Sequence, residues 1–306
     1  MRFHPEWKEI DYDVLGARYP ELRPFIFKAD HGGTSVGRGE DPEAVRVLTK
    51  VSLQYQHGIE WPFPAGSRYM IPPVPSREVY VRIVNDLITG SGGIWADAAA
   101  IIERHGESPP PSADPVTGLD IGVGASAIYS LLGAKLYGWR MVGTDIDAQS
   151  LQVAQTLIDA NPDCNVHTSL SPNPHCFFPE DTQENFTFSM CNPPFYASGK
   201  DPRPHPHRSL VGTPSELYCV GGESKFVVDL FRASRAAPTR CLWYTVLCHF
   251  PATVSDLKAA FSSPPNRRER RTTRTEGTYV KEPSTWLVIQ YTCGASTHHI
   301  VAWTFH

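Results

Sequence analysis

Five consecutive residues carry the clearest chemistry in this chain: Cys191-Asn192-Pro193-Pro194-Phe195. The Asn192 side-chain carbonyl and the Pro193 backbone carbonyl are two acceptors one residue apart. Together they suit a planar amine with two N–H bonds, of the kind that projects from a nucleobase. Phe195 adds a flat apolar ring on which such a base can stack once it has left its own stack. An amine nitrogen gains positive charge as it is alkylated, and two aimed carbonyl dipoles stabilise that charge. No general base is needed beforehand, because the proton becomes acidic only after transfer. Taken alone, the same five residues also fit a rigid strand-ending turn with a core phenylalanine.

The residues around this turn say how it is held. The run Phe186-Thr187-Phe188-Ser189-Met190-Cys191 alternates as a strand should. Pro193 and Pro194 end it, because neither can donate to a ladder, and they stiffen the turn itself. Asn192 is therefore expected at the carboxyl end of a strand, where open α/β sheets bind ligands.

A second stretch lies upstream. Leu119-Asp120-Ile121 ends a strand, and Gly122-Val123-Gly124-Ala125-Ser126 is a tight glycine loop. The glycines allow a backbone path that side chains would block and let a ligand lie against the chain. The dinucleotide signature is absent, since Ala127 stands where its third glycine belongs. With no phosphate to hold, the loop suits a compact nucleoside with a charged amino-acid tail, namely S-adenosylmethionine. Asp145 ends the next strand, where a carboxylate can accept both ribose hydroxyls. Asp147 is the nearby rival, and it reads better as the N-cap of the following helix.

The 306 residues suffice for one large α/β domain with a small module, and 41% hydrophobic content implies a substantial core. A net charge of −4 announces no nucleic-acid partner globally, so one must be sought in local patches. Seven cysteines without a CxxC pair fit reduced thiols in an intracellular protein, with the nucleus and the cytoplasm both open. No apolar stretch reaches membrane-spanning length, and the N-terminus does not read as a signal peptide. The 12 histidines show no pairing with carboxylates that demands a metal, so none is expected.

In chain order, Tyr12–Tyr19 reads as a short helix ended by Pro20. Asp41 caps a helix that opens on Pro42. Ile71-Pro72-Pro73-Val74-Pro75 reads as an extended linker, followed by a helix from Arg77 to Ile88. Residues 90–116, rich in glycine and proline, read as a surface excursion. Alternation then sets in: helix 127–137, strand 140–145, helix 147–160, strand 166–168 and the strand before Asn192. Helix 224–236, strand 241–247 and helix 253–261 come next, and strands 285–291 and 300–305 close as a hairpin-like pair. Such alternation implies a mostly parallel, doubly wound α/β sheet.

The segment Leu119 to Trp139 closely resembles the methyltransferase-like 16 / RlmF family of RNA adenine-N6 methyltransferases. Asp41 to Arg46, Ile71 to Arg77, Cys191 to Phe195, Gly212 to Glu216, Gly221 to Glu223, Trp243-Tyr244 and Ala302-Trp303 extend the likeness over nearly the whole chain. The resemblance implies a Rossmann-like class I S-adenosylmethionine-dependent methyltransferase sheet with an antiparallel last strand. It implies three parts: an N-terminal helical RNA-binding module over 1–90, a linker over 91–116 and the methyltransferase domain over 117–306. Arg77, Asp120, Gly122, Gly124, Ser126, Asp145 and Asn192 would hold the cofactor. Asn192, Pro193, Pro194 and Phe195 would hold an adenosine of a structured RNA, which is U6 small nuclear RNA in eukaryotic members and large-subunit ribosomal RNA in bacterial ones. Of these the U6 RNA is the expected partner, bound by a monomer.

Two basic stretches are the candidate RNA contacts: Lys200, Arg203 and Arg208 after the turn, and Arg267, Arg268, Arg270 and Arg271 further on. The family's C-terminal Gly-Arg-Thr is replaced here by Gly294-Ala295-Ser296, a departure that touches RNA specificity more than chemistry. Two other enzymes would use a similar turn, a guanine-N2 RNA methyltransferase and a protein-glutamine methyltransferase. An RNA-binding protein that has lost turnover is a third alternative.

Overall fold

The computed structural model describes residues 11–28, 34–37, 41–90, 101–107, 109–110, 115–179, 184–199, 212–264, 282–293 and 296–306. The seven expected RNA-contact residues, 200, 203, 208, 267, 268, 270 and 271, lie outside them.

The described residues begin with helix α1 (Tyr12–Arg18), capped by the Asp11 carboxylate, and a 3-10 turn. Strands β1 (Ile26–Lys28) and β2 (Thr34–Val36) pair antiparallel. Helix α2 (Pro42–His57) starts as expected: Asp41 accepts the amides of Glu43 and Ala44, and Pro42 sits where no amide is needed. Helix α3 (Val74–Thr89) begins three residues before Arg77. Val74 and Pro75 form its first turn and are not linker, because proline is well tolerated there.

Among the described residues the main sheet has eight strands, in the order β3-β11-β12-β10-β7-β4-β5-β6. They are β3 (Ile101–His105), β4 (Thr117–Ile121), β5 (Arg140–Asp145), β6 (Val166–Leu170), β7 (Phe186–Cys191), β10 (Cys241–Cys248), β11 (Thr285–Cys293) and β12 (Ser296–Thr304). Strands β10, β7, β4, β5 and β6 run parallel, and β12, β11 and β3 alternate antiparallel at one edge. Strand β3 corrects the expected surface excursion: five of those residues pair with β11, with His105 stacked on Trp286. Proline and glycine clusters on either side hid a strand of only five residues.

Helices α4 (Ile128–Tyr137) and α5 (Ala148–Asp159) connect the parallel strands on one side of β4. On the other side lie β8 (Tyr196–Ala197), the short helix α6 (Pro214–Leu217), β9 (Tyr218–Cys219), α7 (Gly222–Ala236) and α8 (Pro251–Phe261). Two apolar clusters cover the two faces of the sheet. One joins Phe188, Met190, Trp243 and Leu247 to α4 and α5 and also takes in Trp61, Phe63, Tyr80 and Val84. The segment before the sheet is thus welded into the main core at α3. A smaller cluster, with Leu15, Leu22, Val36, Val47 and Val51, holds α1 and α2 together. The second face packs Leu119, Ile121, Val246 and Cys248 against Leu230, Phe231 and Leu257. Connections leave β4 and β7 in opposite directions, so a crevice opens at the carboxyl ends of these adjacent strands.

Candidate active site

That crevice holds a cavity of about 360 Å³, within the range of small-molecule sites. Its wall includes Arg77, Gly122, Gly124, Ser126, Asp145, Asn192, Pro193, Pro194 and Phe195. The fold thus brings residues from four separated places in the chain onto one surface. Asp120 is the exception. It sits behind the glycine loop, 1% exposed, and is not on the wall.

On one side the loop after β4 folds back on β5. Gly122 and Val123 donate their amides to the Thr144 carbonyl, and Gly124 donates to Asp145 Oδ2 at 2.9 Å. Gly122 and Gly124 have φ of +74° and +62°, and a Cβ at either would meet no atom within 4 Å. The first fact favours glycine, and the second leaves open space along the backbone. Ala127 is also left-handed, at φ 47°, and caps α4 where a third glycine would be easier. Such a conformation costs an alanine on the order of 1 kcal/mol.

Asp145 is braced from both oxygens, since its Oδ1 accepts the Asp147 amide at 2.9 Å. Burial holds the carboxyl above its ordinary range, against the lowering effect of the Asp147, Gly124 and Ile146 amides. Asp147, the rival acid, accepts the Gln149 amide and the Ser150 hydroxyl as N-cap of α5 and is not on the wall. Beneath the loop, Asp120 Oδ2 accepts the Ser130 hydroxyl at 2.9 Å while Oδ1 is buried without a partner. Burial pushes its carboxyl up to about 7. The buried Arg77 guanidinium lies 5.6 Å from the Tyr129 ring centre.

Across the cavity, Asn192 follows the last residue of β7. Its Oδ1 is buried and has no hydrogen-bond partner. An orphaned buried acceptor is unfavourable and uncommon, so this one marks a place for a donor. Phe195 meets the His249 ring edge-on at 4.2 Å between centroids.

Further residues at or beside the site were not legible as such. His249 Nδ1 donates to Glu223 Oε2 at 2.7 Å, and the same carboxylate accepts the amides of His249 and Phe250. Burial holds His249 below its ordinary value against the pull of Glu223. Glu216, which unlike His249 and Glu223 is on the wall, accepts the amides of Met70 and Thr213 and completes a capping box for α6. Met70 and Pro72 are themselves on the wall. Only a Glu two residues into α7 and the Thr-Pro-Ser-Glu cap hinted at these roles, and neither says what the carboxylate reaches.

The donor set fits S-adenosylmethionine. Gly122 and Gly124 leave room for it along the backbone, Asp145 offers ribose acceptors, and Arg77 suits its carboxylate. Among the described residues no cluster of side chains could hold a metal ion, and no helix is long and apolar enough to cross a membrane.

The sheet order and this cavity define a class I S-adenosylmethionine-dependent methyltransferase. A sequence profile described as RNA methyltransferase matches residues 2–306, and the chain belongs to that family, the METTL16/RlmF-type RNA methyltransferases. The chain is 33% identical over 304 residues to ribosomal RNA large subunit methyltransferase F of Aeromonas salmonicida, covering 93% of this chain and 90% of that protein. The Yersinia pestis protein of the same name is 31% identical over 316 residues, covering 96% and 84%. Among solved structures, the human METTL16 catalytic domain in complex with MAT2A 3′UTR hairpin 6 superposes with a TM-score of 0.73 at 26% identity, covering 98% and 94%. The human METTL16 N-terminal domain in complex with SAH gives 0.69 at 25% identity, covering 98% and 95%.

Proposed function

We propose that this methyltransferase acts on the exocyclic N6 of an adenosine in a structured RNA. The observation that carries the reading is the buried, unpartnered Asn192 Oδ1 on the cavity wall next to the Phe195 ring. S-adenosylmethionine, when bound, supplies the methyl group. Asn192 Oδ1 and the Pro193 carbonyl accept the two amine N–H bonds, and their dipoles stabilise the positive charge that grows on the nitrogen. Phe195 stacks on the flipped base. The proton left on the methylated amine is acidic and passes to solvent.

Structured RNA as partner is supported by the human METTL16 domain's complexes with RNA hairpins. Residues 1–90 and the basic stretches at 200–208 and 267–271 are the proposed RNA contacts. Two RNAs are the ones to test, U6 small nuclear RNA and large-subunit ribosomal RNA. The assay is transfer of labelled methyl groups to each RNA, then digestion and nucleoside analysis. N6-methyladenosine is the expected product. Label in N2-methylguanosine, or in protein glutamine, would replace this reading with one of its rivals.

A further inference from the structure

Strands β7 and β10 pair from Phe186↔Cys241 to Ser189↔Tyr244, and the ladder stops there, two residues short of the end of β7. Cys191 still pairs with Ile121 on its other side. On the side facing β10 its amide donates to the Tyr80 hydroxyl at 3.3 Å. That hydroxyl lies 2.8 Å from Thr245 Oγ1, and the Thr245 hydroxyl lies 2.8 Å from the Ser189 carbonyl. Thr245 has one proton, and a carbonyl can only accept, so it goes to Ser189. Tyr80 must therefore donate to Thr245, which leaves its oxygen lone pairs for Cys191. The result is one directed chain: Cys191 N–H to Tyr80 O–H to Thr245 O–H to Ser189 C=O. Every donor is used once, and each bond polarises the next. Tyr80 and Thr245 are both fully buried, so water cannot replace a lost member.

We propose that Tyr80 is a positioning residue for methyl transfer. Its hydroxyl substitutes for a ladder partner where β7 and β10 part, and so fixes the residue immediately before Asn192. The proposal rests on the reading that Asn192 holds the acceptor amine. Asn192 Oδ1 has no other partner to aim it, so its direction depends on the backbone that carries it. A small displacement of such a group slows the chemical step without weakening binding.

The test is Tyr80→Phe, which keeps the ring and removes one oxygen. Single-turnover transfer is expected to slow by about tenfold or more, with cofactor and RNA dissociation constants within about twofold of the parent. Tyr244→Phe is the control. The Tyr244 hydroxyl also accepts a backbone amide, that of Cys241, at the opposite end of β10. This variant should lower the melting temperature and leave the transfer rate alone. Should Tyr80→Phe not fold, Thr245→Val breaks the same chain from β10 and is expected to slow transfer likewise. Asn192→Ala, run alongside, separates the two ideas. If it is slow while Tyr80→Phe transfers at the parental rate, the positioning role is wrong and the Asn192 reading stands. If Asn192→Ala is itself at the parental rate, the underlying reading fails. Equal slowing in Tyr80→Phe and Tyr244→Phe would show a loss of general stability and overturn the proposal.

Discussion

The two walls of the cavity are built in different ways. The glycine-loop wall is local, since the bonds that shape it join Gly124 to Asp145, 21 residues apart, and Asp147 to Asp145, two apart. The wall around Asn192 is assembled from a distance. Cys191 is held by Tyr80, 111 residues away, Ser189 by Thr245, 56 away, and Met70 by Glu216, 146 away. The first wall needs a backbone path and one acid, which a short motif can supply. The second must aim a side-chain carbonyl at a charge that exists only during reaction. Such aim is set by packing from several elements, not by the turn itself.

This contrast can be attacked from either side. Asp145→Ala should weaken S-adenosylmethionine binding by one to two orders of magnitude, the cost of removing a buried acceptor, measured by calorimetry. Transfer at saturating cofactor should change little. If instead Asp147→Ala does the damage, the ribose acid has been misassigned. Phe195→Ala removes the stacking surface and should weaken RNA capture by roughly tenfold while cofactor affinity holds. Unchanged RNA affinity would mean that the ring only packs against His249. His249→Ala should act through Phe195, raising the RNA KM severalfold with a smaller effect on kcat. His249→Phe, which keeps a ring there, should recover most of the loss, and an equal loss in both variants would point to the Glu223 bond instead.

The smallest effect is on stability and pH. Burial raises the Asp120 carboxyl from the ordinary range near 4 to about 7 in the folded state. The folded protein therefore binds the proton more tightly than the unfolded chain does. That contribution is fully present below pH 4 and is lost as pH rises through 7. Asp120→Asn should flatten this decline in urea unfolding measured between pH 4 and 8. A parallel decline in the variant would assign the pH dependence elsewhere.

Much of the fold was legible because it rests on local signals. Asp41 and Pro42 marked the start of α2, the alternation of 186–191 marked β7, and the glycines marked the loop. The edge strand 101–105 was missed because its pairing partner lies some 180 residues later, at 286–290. Val74 and Pro75 read as linker because three prolines in five residues outweigh a helix start, yet they open α3. In the site, Gly122, Gly124, Asp145 and Asn192 are read from type and spacing. Glu223, His249 and Tyr80 are not. A buried glutamate, a histidine after a strand and a tyrosine in a helix have no chemistry of their own until the fold shows what they touch.

The central claim is that Asn192 acts on the reacting amine and not on binding. It is tested most directly by single-turnover methyl transfer to a structured RNA with Asn192→Ala, at saturating cofactor, with cofactor and RNA affinities measured separately. The account predicts transfer slowed by on the order of a hundredfold or more, with both dissociation constants near the parental values. Transfer at the parental rate would contradict it and leave the turn after β7 a purely structural feature.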